Sequence, residues 1–274
     1  MIINVLISTI DDGIDKVEKV LLPEVKNTIR YKISHQYTDS SYVRIPEGLR
    51  REDVQISHIK GEGLCRNRNN AINMADGDIA IIADDDVRYE LSYFETVECV
   101  YKDQSIDVAC FQIQTRKGEL PYKNYSSKPF QLKKHQRYDI SSIEITFRVS
   151  KIKEYNIHFD TRFGLGSGLF LSGEEDVFIH DCTLKQLNVY YFPYPIVSHL
   201  YMSTGKKNLL SQERNQTLGA LTWEVYGYSA FPRICWYVLK KRKSLFQNKV
   251  YPFAYLFQMM KGISIIKKSN KPSV

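Results

Sequence analysis

The stretch Gly77-Asp-Ile-Ala-Ile-Ile-Ala-Asp-Asp-Asp-Val87 runs an apolar segment into three consecutive carboxylates. Ile79 to Ala83 is short, mostly β-branched and bracketed by polar residues, which predicts a buried strand rather than a helix. Acids at the end of such a strand repel one another unless a cation lies between them. Side-chain alternation puts Asp84 and Asp86 on one side of the strand and Asp85 on the other. Two convergent carboxylates suit Mg2+ or Mn2+ and leave coordination positions for phosphate oxygens. The stretch therefore points to an enzyme acting on a phosphorylated substrate.

The chain upstream alternates strand and helix signals. Ile2–Ser8, Tyr31–Gln36 and Val54–Ile59 read as strands. Ile14, Val17, Val20 and Leu21 recur at helical spacing before Pro23, and Arg68–Met74 is helical with Gly77 as its stop. This β-α-β rhythm implies a mostly parallel sheet flanked by helices. Ligands of open α/β sheets bind beyond the carboxyl ends of the strands, where Ser8-Thr9, Gln36 and Asp84–Asp86 all fall. Downstream, Tyr89–Tyr101 reads as a helix, and Val108–Thr115 and Ser142–Val149 read as strands. The polar loop 117–138 is long enough to face substrate or act as a lid. Phe163–Leu169 is a glycine-rich turn, and a helix follows from about Ser172 to Leu187 with Glu174, Glu175 and Asp176 near its positive end. Val189–Phe192 is a strand broken by Pro193 and Pro195, with His199 beyond.

Length and composition bound these readings. The chain has 274 residues, enough for one large α/β domain with an appendage. Five cysteines without CxxC spacing predict reduced thiols in a cytosolic protein, not a disulfide framework or a zinc site. Met1 leads straight into a strand pattern with no signal-peptide features, and no apolar run reaches transmembrane length. Charge is uneven. Residues 205–274 hold thirteen Lys and Arg against two Glu, a net of +11 in a chain of +7, which leaves −4 for residues 1–204.

At this point the residues resemble family 2 glycosyltransferases of the GT-A fold. That family carries a glycine, Arg-Asn opening a small-residue helix, Gly-acid, an apolar strand and Asp-x-Asp. Here these map to Gly63, Arg68-Asn69, Gly77-Asp78 and Asp84-Asp85-Asp86. A second block follows in the family's order: Phe159-Asp160, Gly173-Glu-Glu-Asp176 and His199. The resemblance covers roughly residues 1–204 and implies a GT-A catalytic domain there, with residues 205–274 as a basic, aromatic, helical extension.

The resemblance also implies roles. A divalent ion, Mn2+ or Mg2+, would be held by Asp86 and Asp84, with His199 as a third ligand, and would stabilise a departing diphosphate. Ser8, Thr9, Gln36, Arg68, Asp84 and Asp85 would bind the nucleotide-sugar. Inverting transfer needs a carboxylate base, taken as Asp176 with Glu175 beside it. The expected acceptor is a glycan or lipid-linked glycan hydroxyl in surface polysaccharide synthesis. The sequence departs from the family where a base-reading acidic pair usually ends the second strand; here the residues are His35-Gln36.

Plainer readings stand beside each of these. The acidic triplet alone would be a solvated loop, Glu174–Asp176 simple helix-end acids, His199 a satisfied polar residue and Arg68 an ion-pair partner. The spacing of Gly63, Arg68, Gly77 and the acids favours the site. A nucleotidyltransferase would carry a Gly-rich, Arg/Lys-containing loop after the first strand, which 8–13 lacks. An inactive glycan-binding or scaffolding member would have no reason to keep mutually repelling acids. The tail, with Lys240–Lys243 among many aromatics, fits either an anionic membrane surface or helices packed on the catalytic domain. No nucleic-acid motif accompanies its charge. The expected location is the cytoplasm, including the inner face of the cytoplasmic membrane if the tail meets lipid.

Overall fold

The computed structural model describes residues 1–116, 118–199, 211–248 and 250–269. Eight strands form one mixed sheet: β1 (Ile3–Ile10), β2 (Ile29–Tyr37), β3 (Val54–Lys60), β4 (Ile79–Asp84), β5 (Val108–Gln114), β6 (Phe130–Gln131), β7 (Ile145–Arg148) and β8 (Val189–Ser198). Their order is β3-β2-β1-β4-β7-β5-β8-β6. β1 pairs in parallel with both β2 and β4, and β3 adds in parallel to β2. β7 runs antiparallel between β4 and β5, and β8 returns parallel to β5.

The order reverses beside β1, because the chain builds outward to β3 and then returns to place β4 on β1's other flank. Such a switch point opens a crevice at the carboxyl ends of the two strands. Ser8 pairs with Asp84 there, so the ends of β1 and β4 arrive together.

Strand alternation divides the core between two faces. Val5, Ile7, Ile79 and Ile81 pack with Phe94 and Val97 of α2 (Leu91–Tyr101) on one side. Leu6, Ala80 and Ile82 pack on the other with Ile72 of α1 (Leu64–Met74) and Phe178 of α4 (Glu174–Leu184). Each fully buried Ile or Leu stabilises the fold by about 1.5–3 kcal/mol, so burial on both faces explains the nearly unbroken apolar runs of β1 and β4. A short α3 (Val149–Glu154) follows β7.

Several local expectations are corrected. The segment after β1 is a 3-10 helix, Asp11–Val20; Ile14, Val17 and Val20 recur every third residue, the 3-10 repeat. Gly77 does not stop α1, which ends at Met74. Instead it lies where a Cβ would meet the Ile2 carbonyl oxygen at 2.8 Å, and Asp78 accepts a 2.6 Å hydrogen bond from the Ile2 N–H. Gly77-Asp78 thus docks the start of β4 onto the start of β1. β8 is not broken by its prolines but runs on to Ser198. β6 pairs with it only at Tyr190 and Tyr191, so Pro193 and Pro195 lie where one flank has no strand, and the β5 register shifts around Gln112.

The tail folds as three helices, α5 (Gln212–Tyr226), α6 (Ala230–Gln247) and α7 (Pro252–Lys268). Ala220 and Leu221 of α5 and Ile266 of α7 pack with Phe163, Phe170 and Val177, the last of them on α4. Arg162 joins Asp160 to Glu224 of α5, with Nη2–O distances of 2.6 and 2.9 Å. The proposed boundary between 204 and 205 lies outside the described residues. Among the described residues no helix is long and apolar enough to cross a membrane.

Candidate active site

The carboxyl ends of β1 and β4 carry the first group of predicted residues. The Thr9 hydroxyl donates to Asp85 Oδ2 at 2.5 Å. Burial, followed by the charges of Asp86 and Asp84, raises the Asp85 carboxyl despite that bond. Ser8 is buried and its hydroxyl has no partner among the described residues. Gln36, next to last in β2, is in the same condition, with its side-chain amide nitrogen unpartnered. The preceding residue, His35, shares a 2.9 Å Nδ1–Nδ1 contact with His58 of β3, and burial lowers both imidazoles.

The helix after β3 is a set of ties. Asn67 donates to the Thr9 carbonyl at 2.8 Å. Asn69 makes a reciprocal pair with the Phe159 backbone, both bonds 2.8 Å. Asn70 donates to Ser34 and Ser57 on β2 and β3. Between them, Arg68 is 2% exposed and donates to three acceptors: Ser142 Oγ at 2.7 Å, Glu174 Oε1 at 2.9 Å and Asp84 Oδ1 at 3.1 Å. Burial alone would favour loss of its proton, but Asp84 and Glu174 override it and the guanidinium is held more firmly charged than usual.

Asp86 points elsewhere, accepting from His199 Nε2 at 3.2 Å. That hydrogen bond is the main reason its carboxyl sits below the usual range. The His199 N–H bonds the Gln114 carbonyl at the end of β5, and the Tyr122 ring meets the imidazole edge-on at 5.8 Å. Asp86 and His199 are two adjacent side chains, one oxygen and one nitrogen donor, that could hold a divalent ion. Asp84 is turned to Arg68. Among the described residues no three His, Cys, Asp or Glu side chains gather as a ready-made metal cluster.

The second group opens α4. Gly173 adopts φ +99 and turns the chain into the helix. The three acids that follow have separate fates. Glu174 is buried against Arg68, and its Oε2 has no partner among the described residues. Asp176 is held by a two-pronged clamp from Arg137, Nε–Oδ1 3.2 Å and Nη2–Oδ2 2.9 Å. Glu175 is half-buried and makes no ion pair among the described residues. Burial, and then the charge of Glu174, raises its carboxyl well above the ordinary range. With Asp176 it lines a shallow depression completed by Gln136, Tyr138, Ile140 and Ile179.

The long polar loop faces both groups. Tyr122 meets His199 and Arg137 grips Asp176, while Lys123 and Tyr125 bind the buried Glu144 at 2.9 and 2.5 Å. The glycine-rich turn is tied to the start of α1, where the Leu64 N–H donates to the Leu165 carbonyl. Sequence reasoning missed Arg137, Ser142 and Tyr122. Tyr122 and Arg137 are single polar residues in an irregular segment, and Ser142, read as the start of a strand, opens a 3-10 turn (Ser142–Glu144) before β7.

Residues 39–165 match the model of glycosyl transferase family 2. The match contains the first block, Gly63 to Asp86, and ends before the acids of α4. No curated protein matches the sequence. Among solved structures, the chain resembles S. aureus TarS at 13% identity and a TM-score of 0.57, covering 83% of this chain. It spans 40% of that structure's length. TarS 1-349 matches at 12% identity and a TM-score of 0.59, over 98% of this chain and 92% of that one. Its complex with UDP-GlcNAc matches at 12% identity and a TM-score of 0.58, over 83% and 67%. At such identities the likeness shows the fold, the mixed sheet and flanking helices of GT-A. The family resemblance read from Arg68-Asn69, Gly77-Asp78 and Asp84–Asp86 is shown by the family match.

Proposed function

We propose that this chain, which carries the family 2 glycosyltransferase region and its GT-A fold, transfers a sugar from a nucleotide-sugar to a glycan or lipid-linked glycan hydroxyl with inversion. The reaction would serve surface polysaccharide synthesis. One observation carries this reading: a single buried guanidinium, Arg68, gathers Asp84 from the donor side and Glu174 from the helix bearing the candidate base. A merely structural ion pair would need no third acid beside it, half-buried, with a raised carboxyl and no ion pair among the described residues.

Ser8, Thr9 and Gln36 line the nucleoside end, where unpartnered buried polar groups favour a ligand able to hydrogen-bond them. Asp86 and His199, with Asp84 nearby on the same turn, would hold Mn2+ or Mg2+. Such an ion, when bound, offsets charge on the departing diphosphate. Arg68 fixes Asp84 and contributes positive potential from below. The base is assigned to Glu175 in place of Asp176. Asp176 has both oxygens taken up by Arg137, whereas Glu175 makes no ion pair among the described residues and has the raised carboxyl a general base uses near neutrality. The acceptor O–H proton passes to Glu175, the oxygen bonds the anomeric carbon, and the C–O bond to the diphosphate breaks on the opposite face. Arg137 and Asp176 then act as positioning residues that seat the loop over the acceptor.

The first donor to test is a uridine diphosphate sugar, because the TarS structures include complexes with UDP and UDP-GlcNAc. Purified chain incubated with UDP-sugars and Mn2+ should release UDP, faster when a glycan acceptor is present. Absence of both UDP release and thermal stabilisation, with every nucleotide-sugar tried, would overturn the reading. Cytoplasmic placement at the inner membrane face belongs to the same proposal, since a lipid-linked acceptor would lie there.

A further inference from the structure

The chain after Glu224 contains ten Lys and Arg and no Asp or Glu. Its last two helices form a hairpin whose inner faces meet in one cluster, Ala230, Ile234, Val238 and Leu245 against Tyr255, Met259 and Ile263. A helical hairpin that has buried its apolar stripe should present polar residues outward. This one does not. Trp236, Leu239, Lys243 and Phe246 recur at i, i+3, i+7 and i+10 along α6, and all four are exposed. α7 continues the pattern with Phe253, Phe257 and Lys261, and Tyr251 lies in the connection between the helices. Trp236 is 70% exposed, Tyr251 75% and Phe253 86%.

We propose that the outer surface of the α6–α7 hairpin docks on an anionic lipid bilayer. The rings would enter the headgroup boundary, where an apolar body with wet surroundings is stable, and Lys240, Arg242, Lys243 and Lys261 would meet lipid phosphates. Two features on the page choose this occupant. A second copy of the chain would set one acid-free cationic surface against another, and like charges at contact disfavour that interface. A bilayer with anionic lipid takes aromatic rings and unbroken positive charge together, without needing an exact register. The hairpin is tied to the rest of the fold through α5, whose Ala220 and Leu221 pack with Ile266 of α7 and with Phe163, Phe170 and Val177. α5 and α7 cross at Gly219 and Gly262, where added methyl groups would strike the Met259 and Gln216 carbonyl oxygens. The hairpin therefore positions the whole catalytic region at the surface it binds, which deepens the transferase proposal by bringing a lipid-linked acceptor within reach.

The test uses the full chain and vesicles of phosphatidylcholine with or without phosphatidylserine, read by co-sedimentation at physiological ionic strength. Neither donor nor acceptor is present, so failure here leaves the transferase reading standing, and failure of transfer leaves this one. Wild-type protein should sediment with serine-containing vesicles only, and less as salt rises. The triple variant Lys240→Gln, Arg242→Gln, Lys243→Gln should lose roughly tenfold or more in partitioning. Trp236→Ser with Phe253→Ser should lose a similar amount, both at unchanged melting temperature. Should the triple variant fold poorly, the exposed single change Lys243→Glu and the salt series carry the test. Equal partitioning with and without phosphatidylserine would overturn the proposal. So would a wild-type dimer dissolved by the Trp236 and Phe253 changes, or binding confined to nucleic acid.

Discussion

Arg68 of α1 donates a 2.9 Å hydrogen bond to Glu174 of α4, across 106 positions of sequence. That bond joins the two sequence blocks, and Asp84 and Ser142 complete the shell of the same guanidinium. A buried pair of this kind adds little net stability against an apolar replacement, but loss of one partner strands the other.

Replacing Arg68 with Leu should therefore destabilise the protein by about 3–5 kcal/mol, measured by denaturant unfolding. Arg68→Lys keeps a charge but cannot reach three acceptors, and should fall between the two. A Leu variant within about 1 kcal/mol of wild type would show that Glu174 is not held as described.

Glu175→Gln should lower kcat by about 10²–10⁴-fold with donor affinity intact, while Asp176→Asn should lose less. The pH profile follows from the same assignment. A base works only when deprotonated, and burial with Glu174's charge raises Glu175. The rate should be low below that raised value and climb as pH passes through it. If Asp176→Asn removes turnover and Glu175→Gln spares it, the base is Asp176.

Divalent ion and nucleotide should act together. With Mn2+, UDP at a hundred times its dissociation constant should stabilise the fold by about 2.7 kcal/mol, read as a shift in melting temperature. Asp86→Asn and His199→Phe should each abolish most of that shift. Identical stabilisation in the presence of EDTA would dismiss the metal.

Gly219→Ala and Gly262→Ala each push a methyl group into the backbone of the opposing helix. Each should cost about 1–3 kcal/mol, detected by Trp223 fluorescence during unfolding. The two changes lie at one crossing, so their effects should not add. An unchanged midpoint for both would mean that α5 and α7 are not in close contact.

The strands of the first 84 residues were legible because two-sided burial demands apolar runs, and Gly77–Val87 shows one ending in acids. The helix after β1 was misjudged because a spacing of three serves the 3-10 repeat as well as one face of an α-helix over so short a span. The prolines of β8 misled for a different reason. A proline breaks a strand only where its missing N–H is needed, and the sheet order leaves one flank of β8 without a strand there.

The amino-acid sequence alone determined the residue types of the site, their order and the sheet that carries them, since these follow from local periodicity and short-range spacing. It also held the charge imbalance of the tail. Only the tertiary structure decided how the three adjacent acids on α4 are partnered. Arg68 and Arg137 reach Glu174 and Asp176 from distant segments, and which carboxylate is left without an ion pair depends on those through-space partners. Exposure of the tail aromatics was likewise settled by packing, because one hairpin has a single inner face and the remaining rings had to point outward.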